Sequence, residues 1–198
     1  MIQPLPIRPI MLASELRDAG VHPRDITAAL ERGDILRAAR GVYVTPEVYV
    51  EQQLDDAIVC HKTGGVIGHL SAAQRHGLCD ASPAATEILI GHTGVGGSDL
   101  PIRLIRSRNP DTLSVGVDHE DFHGLLIRMT DRARTVVDLY RIEPKATRQH
   151  AIAALTTYLG EGDPVSTLYQ YAKTFDCWQD LQPEVEAVQA TLERGMSL

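Results

Sequence analysis

The stretch PRDITAALERGDILRAARGVYV, residues 23–44, constrains the fold more than any other part of the chain. Pro23 suits a first helical position, Ile26, Ala29 and Leu30 recur on one side, and Gly33 suits the left-handed residue that closes a helix. Arg24, Thr27, Ala28 and Glu31 are then left facing outward, with Arg32 at the helix end. Directly behind, DILRAARGVYV reads as strand, turn and strand, and Gly41 supplies the turn's permissive φ. Upstream, Ile10, Leu12, Ala13 and Leu16 recur at helical spacing between Pro9 and Gly20, so the spacing predicts a first helix from Pro9 to about Ala19. Two helices joined by about three residues containing glycine form a helix-turn-helix, and the hairpin after them a β-wing. In a winged helix the second helix enters a DNA groove, and wing arginines, here Arg37 and Arg40, reach flanking phosphates or the minor groove. An amphipathic helix pair in an ordinary core would share the pattern. Only eight residues precede Pro9, so the extra N-terminal helix that usually completes a three-helix core is expected to be short or missing.

The formal net charge of −7 argues against nucleic acid until its distribution is considered. Residues 1–50 carry Arg8, Arg17, Arg24, Arg32, Arg37 and Arg40 against an equal number of acidic residues, so DNA binding requires those arginines to share a face. Residues 149–198 carry Lys173 and Arg194 against Glu161, Asp163, Asp176, Asp180, Glu184, Glu186 and Glu193, and hold most of the acidity. Apolar content of 43% with 23% charged is ordinary for a soluble globular protein. No apolar run approaches the ~18 residues that span a bilayer, and the N-terminus lacks the pattern of a signal peptide. Cys60, Cys79 and Cys177 form no CxxC pair. A disulfide framework is therefore not expected, and a cytoplasmic, reducing location is.

Beyond the hairpin, residues 45–53 read as a linker or helix start, and Leu54, Ala57, Ile58 and Cys60 continue helical spacing. A second domain, residues 51–198, is expected to follow the first, residues 1–50, and to be long enough to bury a core alone. In HLSAAQRHGL, Ser71 and Gln74 resemble a capping box and Gly77 a helix stop. EILIG, IRLIR and GLLIRMT read as strands, and Thr130 or Asp131 as the cap of the helix RARTVVDLY. The remainder is helical, with breaks expected at residues 160–164 and near Pro183. The fold class is thus α+β: an N-terminal winged helix-turn-helix, then a mixed α/β domain with a small sheet and C-terminal helices.

HEDFH, residues 119–123, is the sharpest literal match to a metal site, since HExxH on a helix converges two histidines on zinc beside a glutamate. Asp121 puts a charge inside the motif, Gly124 follows, and the flanks read as strands, so a polar hairpin turn is the competing reading. Glu143 and Lys145, with Asp138 upstream, loosely resemble a nuclease ExK site but lie beside Pro144 rather than on a strand. Cys60, His61, His69, His76 and Cys79 are zinc-ligand types in no recognised spacing; His76 reads as a helix-terminal or core histidine. The glycine loop of residues 91–99 lacks the GK[ST] of a phosphate loop, and Ser71 has no nucleophile elbow. No metal site, cofactor or catalytic residue is expected.

The segments ERGDILRAARGVYV, GHLSAAQRHGL, EILIG and GLLIRMTDRARTVVDLYR, in this order, resemble the AbiEi-type antitoxins of bacterial abortive-infection toxin–antitoxin pairs. DPVSTLYQYAKTFDCWQDLQPEVEAV resembles that family's closing helices. The resemblance implies a protein that is not itself an enzyme. Its winged helix would bind double-stranded DNA, the operator of its own operon, through Arg24, Thr27, Arg32, Arg37 and Arg40. Its second domain would counteract a nucleotidyltransferase-type toxin in phage defence. Asp176, Asp180, Glu184 and Glu186 offer an acidic surface for a basic partner. A metal-dependent hydrolase or nuclease using His119, Glu120 and His123 or Glu143 and Lys145, and a regulator with no toxin partner, are the competing readings.

Overall fold

In the computed structural model, which describes residues 6–94, 99–142 and 144–195, the first element is a strand rather than a helix. Strand β1 (Ile10–Leu12) pairs antiparallel with β3 (Val42–Val44), Ile10 opposite Val44 and Leu12 opposite Val42. Ile10 and Met11 are both buried, in different apolar clusters on opposite faces, which is the period of a strand. The helix expected from Pro9 therefore starts only with α1 (Ala13–Asp18). Helix α2 (Pro23–Arg32) closes on Gly33 at φ 76°, as its sequence predicts. Strand β2 (Leu36–Ala39) and β3 form the hairpin, and the sheet runs in the order β1-β3-β2. The two helices cover one face, where Met11, Leu16, Ala29 and Ile35 pack with Ile26, Leu30 and Tyr43.

The other face meets the rest of the chain. After α3 (Pro46–Tyr49) come α4 (Leu54–Thr63), β4 (Val66–Ile67) and α5 (His69–Arg75). Strands β5 (Thr86–Gly91), β6 (Ile102–Ser107), β7 (Val117–Phe122) and β8 (Leu125–Thr130) complete a sheet in the order β6-β5-β4-β8-β7. Pairs β5–β6 and β4–β8 are parallel, the other two antiparallel. One buried cluster joins Ile10, Val42, Val44 and Val48 to Leu54, Ile58, Ile88, Phe122 and Leu125, so the apolar core runs across residue 50.

The remainder is helical: α6 (Arg132–Arg141), capped by the Asp131 side chain on the Arg134 N–H, then α7 (Pro144–Gly160), α8 (Val165–Thr174) and α9 (Trp178–Gly195). The break expected near Pro183 lies earlier, at residues 175–177, where Asp176 adopts φ 54°. Pro183 sits inside α9 with its ring exposed. It forfeits one backbone bond on the solvent side, while Leu181 and Val185 stay buried in the helical core. The capping box also differs: α5 starts at His69 behind Gly68, and the Ser71 hydroxyl accepts instead from the Glu87 N–H at 2.9 Å, tying α5 to β5. The chain is thus a mixed α/β fold with two small sheets and C-terminal helices, as the sequence pattern predicts.

Candidate nucleic-acid interface

Helix α2 is pinned by its apolar stripe, with Ala29 fully buried, and by His22, whose Nδ1 accepts from the Arg24 N–H at 3.2 Å. The opposite stripe faces solvent: Arg24, Thr27 and Glu31 are exposed and Ala28 half-buried. The Thr27 hydroxyl donates back to the Pro23 carbonyl at 3.1 Å. Arg32 is exposed but committed, its Nε donating to Asp34 Oδ2 at 2.8 Å. Arg17, in the last turn of α1, is exposed; the sequence counts it in the segment's charge without giving it a DNA contact.

Arg37 stands opposite Tyr43 on β3, and Tyr43 packs into the cluster beneath α1 and α2. Side chains of directly paired residues share a sheet face, so Arg37 lies on the face that carries the helices. A register shift between Arg37 and Ala39 then turns the chain toward Arg40 and Gly41, the latter at φ 76°. The turn is strapped on three sides. Asp99 Oδ2 accepts from the Arg40 N–H at 2.6 Å, Lys62 Nζ donates to the Arg40 carbonyl at 3.0 Å, and the Ala13 N–H donates to the Gly41 carbonyl at 2.8 Å. The Arg40 side chain is exposed and, like those of Arg24 and Arg37, has no ion-pair partner among the described residues. Lys62 and Asp99 escaped the sequence reading because they lie 22 and 59 residues from Arg40, beyond any local pattern.

Residues 12–46 match the family model described as transcriptional regulator, AbiEi antitoxin. The match bears out the resemblance over α1, α2, β2 and β3, the segment that presents these arginines. No curated protein matches the chain. The AbiEi description is that of a regulator, and no helix among the described residues is long and apolar enough to cross a membrane.

The remaining candidates separate. His119, Glu120 and Asp121 lie on β7, not on a helix or in a turn, and the turn is His123–Gly124, both at positive φ. At the ~3.3 Å rise per residue of extended backbone, β7 carries the chain ~10 Å from His119 to Phe122 before the turn, so His119 and His123 are not stacked one helical turn apart as HExxH requires. Instead His123 Nε2 lies 3.0 Å from Glu51 and Gln53 Nε2 donates to Glu120 at 2.7 Å, fastening the hairpin tip to the α3–α4 connection. Among the described residues no group of three His, Cys, Asp or Glu could hold a metal ion. Glu143, and residues 95–98 of the glycine loop, lie outside the described residues, as does the side chain of Lys145.

His69 is buried, with Nδ1 2.9 Å from Glu87 Oε2 and Nε2 3.1 Å from the Ile142 carbonyl. Glu87 also accepts from the Leu70 N–H at 2.8 Å and from Arg103 at 2.6 Å. Burial raises the Glu87 carboxyl, but the hydrogen bond and charge of His69, with Arg103 and the Leu70 N–H, outweigh it and hold the group below its ordinary value. With every ring nitrogen and both carboxylate oxygens occupied, this cluster joins α5, β5 and the end of α6. His76 Nε2 lies 2.7 Å from the Thr130 carbonyl, and Cys60 Sγ meets the Arg128 backbone, so His69, His76 and Cys60 each have separate partners.

Of the four acidic residues, Asp176 and Asp180 are exposed beside a groove of about 280 Å³ that Lys173, Trp178 and Gln179 also line. Glu184 is ion-paired with Arg148, and Glu186 accepts from Gln182 at 2.8 Å. The structure thus brings the first two together at the α8–α9 corner and commits the third to an internal contact.

Proposed function

We propose that this protein is a DNA-binding repressor of its own operon and the antitoxin to a nucleotidyltransferase-type toxin, acting in the cytoplasm. The observation that carries the reading is the antiparallel order β1-β3-β2 behind the helix pair, within the segment that matches the AbiEi family. A hairpin following a helix pair is what a winged helix requires, and the exposure of Arg24 on α2 and of Arg37 and Arg40 on the β2–β3 hairpin supports their use as helix and wing contacts. Residues 1–50 would contact operator phosphates and base edges, and residues 51–198 would carry the contact with toxin. Asp176 and Asp180, exposed and without an ion-pair partner among the described residues, suit a basic partner surface better than Glu184, which is paired with Arg148.

The test takes the full chain in two assays. Duplex DNA from immediately upstream of the gene should be retarded at low salt and a reporter driven by it repressed; no retardation at 50 mM salt overturns the DNA reading. Co-expression with the adjacent gene should rescue growth if that gene encodes the toxin. Arrest as complete as with the adjacent gene alone overturns the antitoxin half and leaves a regulator without a toxin partner.

A further inference from the structure

The outward stripe of α2 holds Arg24, Thr27, Ala28 and Glu31 at i, i+3, i+4 and i+7, one line along the helix. At 1.5 Å per residue, Arg24 and Glu31 stand ~10 Å apart along the axis. That is the rise of about three base pairs. Each side chain offers one chemistry. Arg24 is exposed and unpaired among the described residues, so its fork of donors is free for the O6 and N7 acceptors of guanine. Thr27 spends its only hydroxyl proton on the Pro23 carbonyl, so it cannot donate to a base and turns a methyl outward beside the Ala28 methyl. Glu31 is also exposed and has no ion-pair partner among the described residues. A carboxylate facing DNA is repelled by phosphates and by the guanine and thymine acceptors. It is tolerated where an amino group points into the major groove. Adenine sets its amino group beside the N7 acceptor, whereas cytosine has no acceptor there. Arg32, turned onto Asp34, drops out of the stripe.

We infer that α2 reads a guanine through Arg24, a thymine methyl through Thr27 and Ala28, and a cytosine through Glu31, with the G·C pairs at the two ends about three base pairs apart. The inference deepens the DNA-binding reading above and rests on it.

The experiment is selection of duplexes from a random pool by the full chain, comparing wild type with Glu31→Gln and Thr27→Ser, both fold-checked by circular dichroism. Wild type should enrich G and C three pairs apart with T between. Glu31→Gln should convert the C position to A, changing relative affinity about tenfold or more there and leaving the other positions alone. Replacing the thymine by deoxyuridine should weaken wild type several-fold and Thr27→Ser less, since that variant keeps the hydroxyl but not the methyl. An enriched motif that Glu31→Gln leaves unchanged overturns the inference. So does retention of duplex DNA without any enriched motif. Failure to retain DNA at all overturns instead the DNA-binding reading beneath it.

Discussion

Arg37 and Glu87 are both charged, yet one faces water with no ion-pair partner among the described residues and the other is 3% exposed with both carboxylate oxygens bonded. The difference decides what substitution would do. A phosphate contact from Arg37 or Arg40 displaces one counterion without reading sequence, so Arg37→Ala with Arg40→Ala should weaken binding to all duplexes about equally. The slope of log K against log salt should fall by roughly two, measured by anisotropy titration at several salt concentrations. An unchanged slope removes the wing from the interface. For Glu87 the consequence is stability. Its folded pKa lies below its ordinary 4.5, so its contribution is fully present above pH 4.5 and is lost as pH falls toward the folded value. Urea midpoints of wild type and Glu87→Gln should therefore converge as pH drops below 4.5 and stay apart at pH 7. A constant gap over that range would mean the ionised form makes no special contact.

At the scale of elements, helix ends and hairpin turns were legible wherever a single residue type fixes them. Gly33, Gly41 and Gly77 all adopt positive φ where the sequence places a stop or turn, and Asp131 caps α6. What was not legible depended on distant pairing. Ile10, Leu12 and Leu16 fit a helix until β3 claims the first two, and Ser71 fits a cap until β5 claims its hydroxyl. Strand β7 hid for a related reason: VDHEDF is polar because it edges the sheet, exposing four of its six residues, so no apolar run marks it. Edge strands are commonly charged in this way, which discourages further pairing. One tight turn into β7 is testable. Gly116 sits at φ 62°, and a Cβ there would come 2.7 Å from Arg134 Cβ and 2.9 Å from the Tyr171 ring. Arg134 is fully buried, bonded to Asp138 and to the Thr112 and Val115 carbonyls, so it cannot yield. Gly116→Ala should cost about 1–3 kcal/mol in urea unfolding, from backbone strain and overpacking together. A cost within 0.5 kcal/mol would show that the turn relaxes freely.

For the whole molecule, charge and core divide the chain differently. Charge sets arginines exposed on the N-terminal helix and hairpin against acidic C-terminal helices, the asymmetry on which the proposed division between DNA and a basic partner rests. The core makes no such cut. Ile10, Val42, Val44 and Val48 belong to the same buried cluster as Leu54, Ile58, Phe122 and Leu125, and the Arg40 turn is bonded to Lys62 and Asp99. Length alone suggested that the second region could fold once severed, but length says nothing about where its apolar surface is buried. Each large aliphatic side chain bared by the cut forgoes about 1.5–3 kcal/mol. A whole domain is stable by only about 5–15 kcal/mol, so three or four such losses are comparable to the total. A fragment of residues 51–198 should therefore unfold at a markedly lower urea concentration than the full chain, and bind a hydrophobic dye in its absence. It should regain part of that stability when residues 1–50 are supplied in trans. A fragment as stable as the full chain would show that the shared cluster is an interface between separable domains, and would allow the proposed toxin contact of residues 51–198 to be assayed alone.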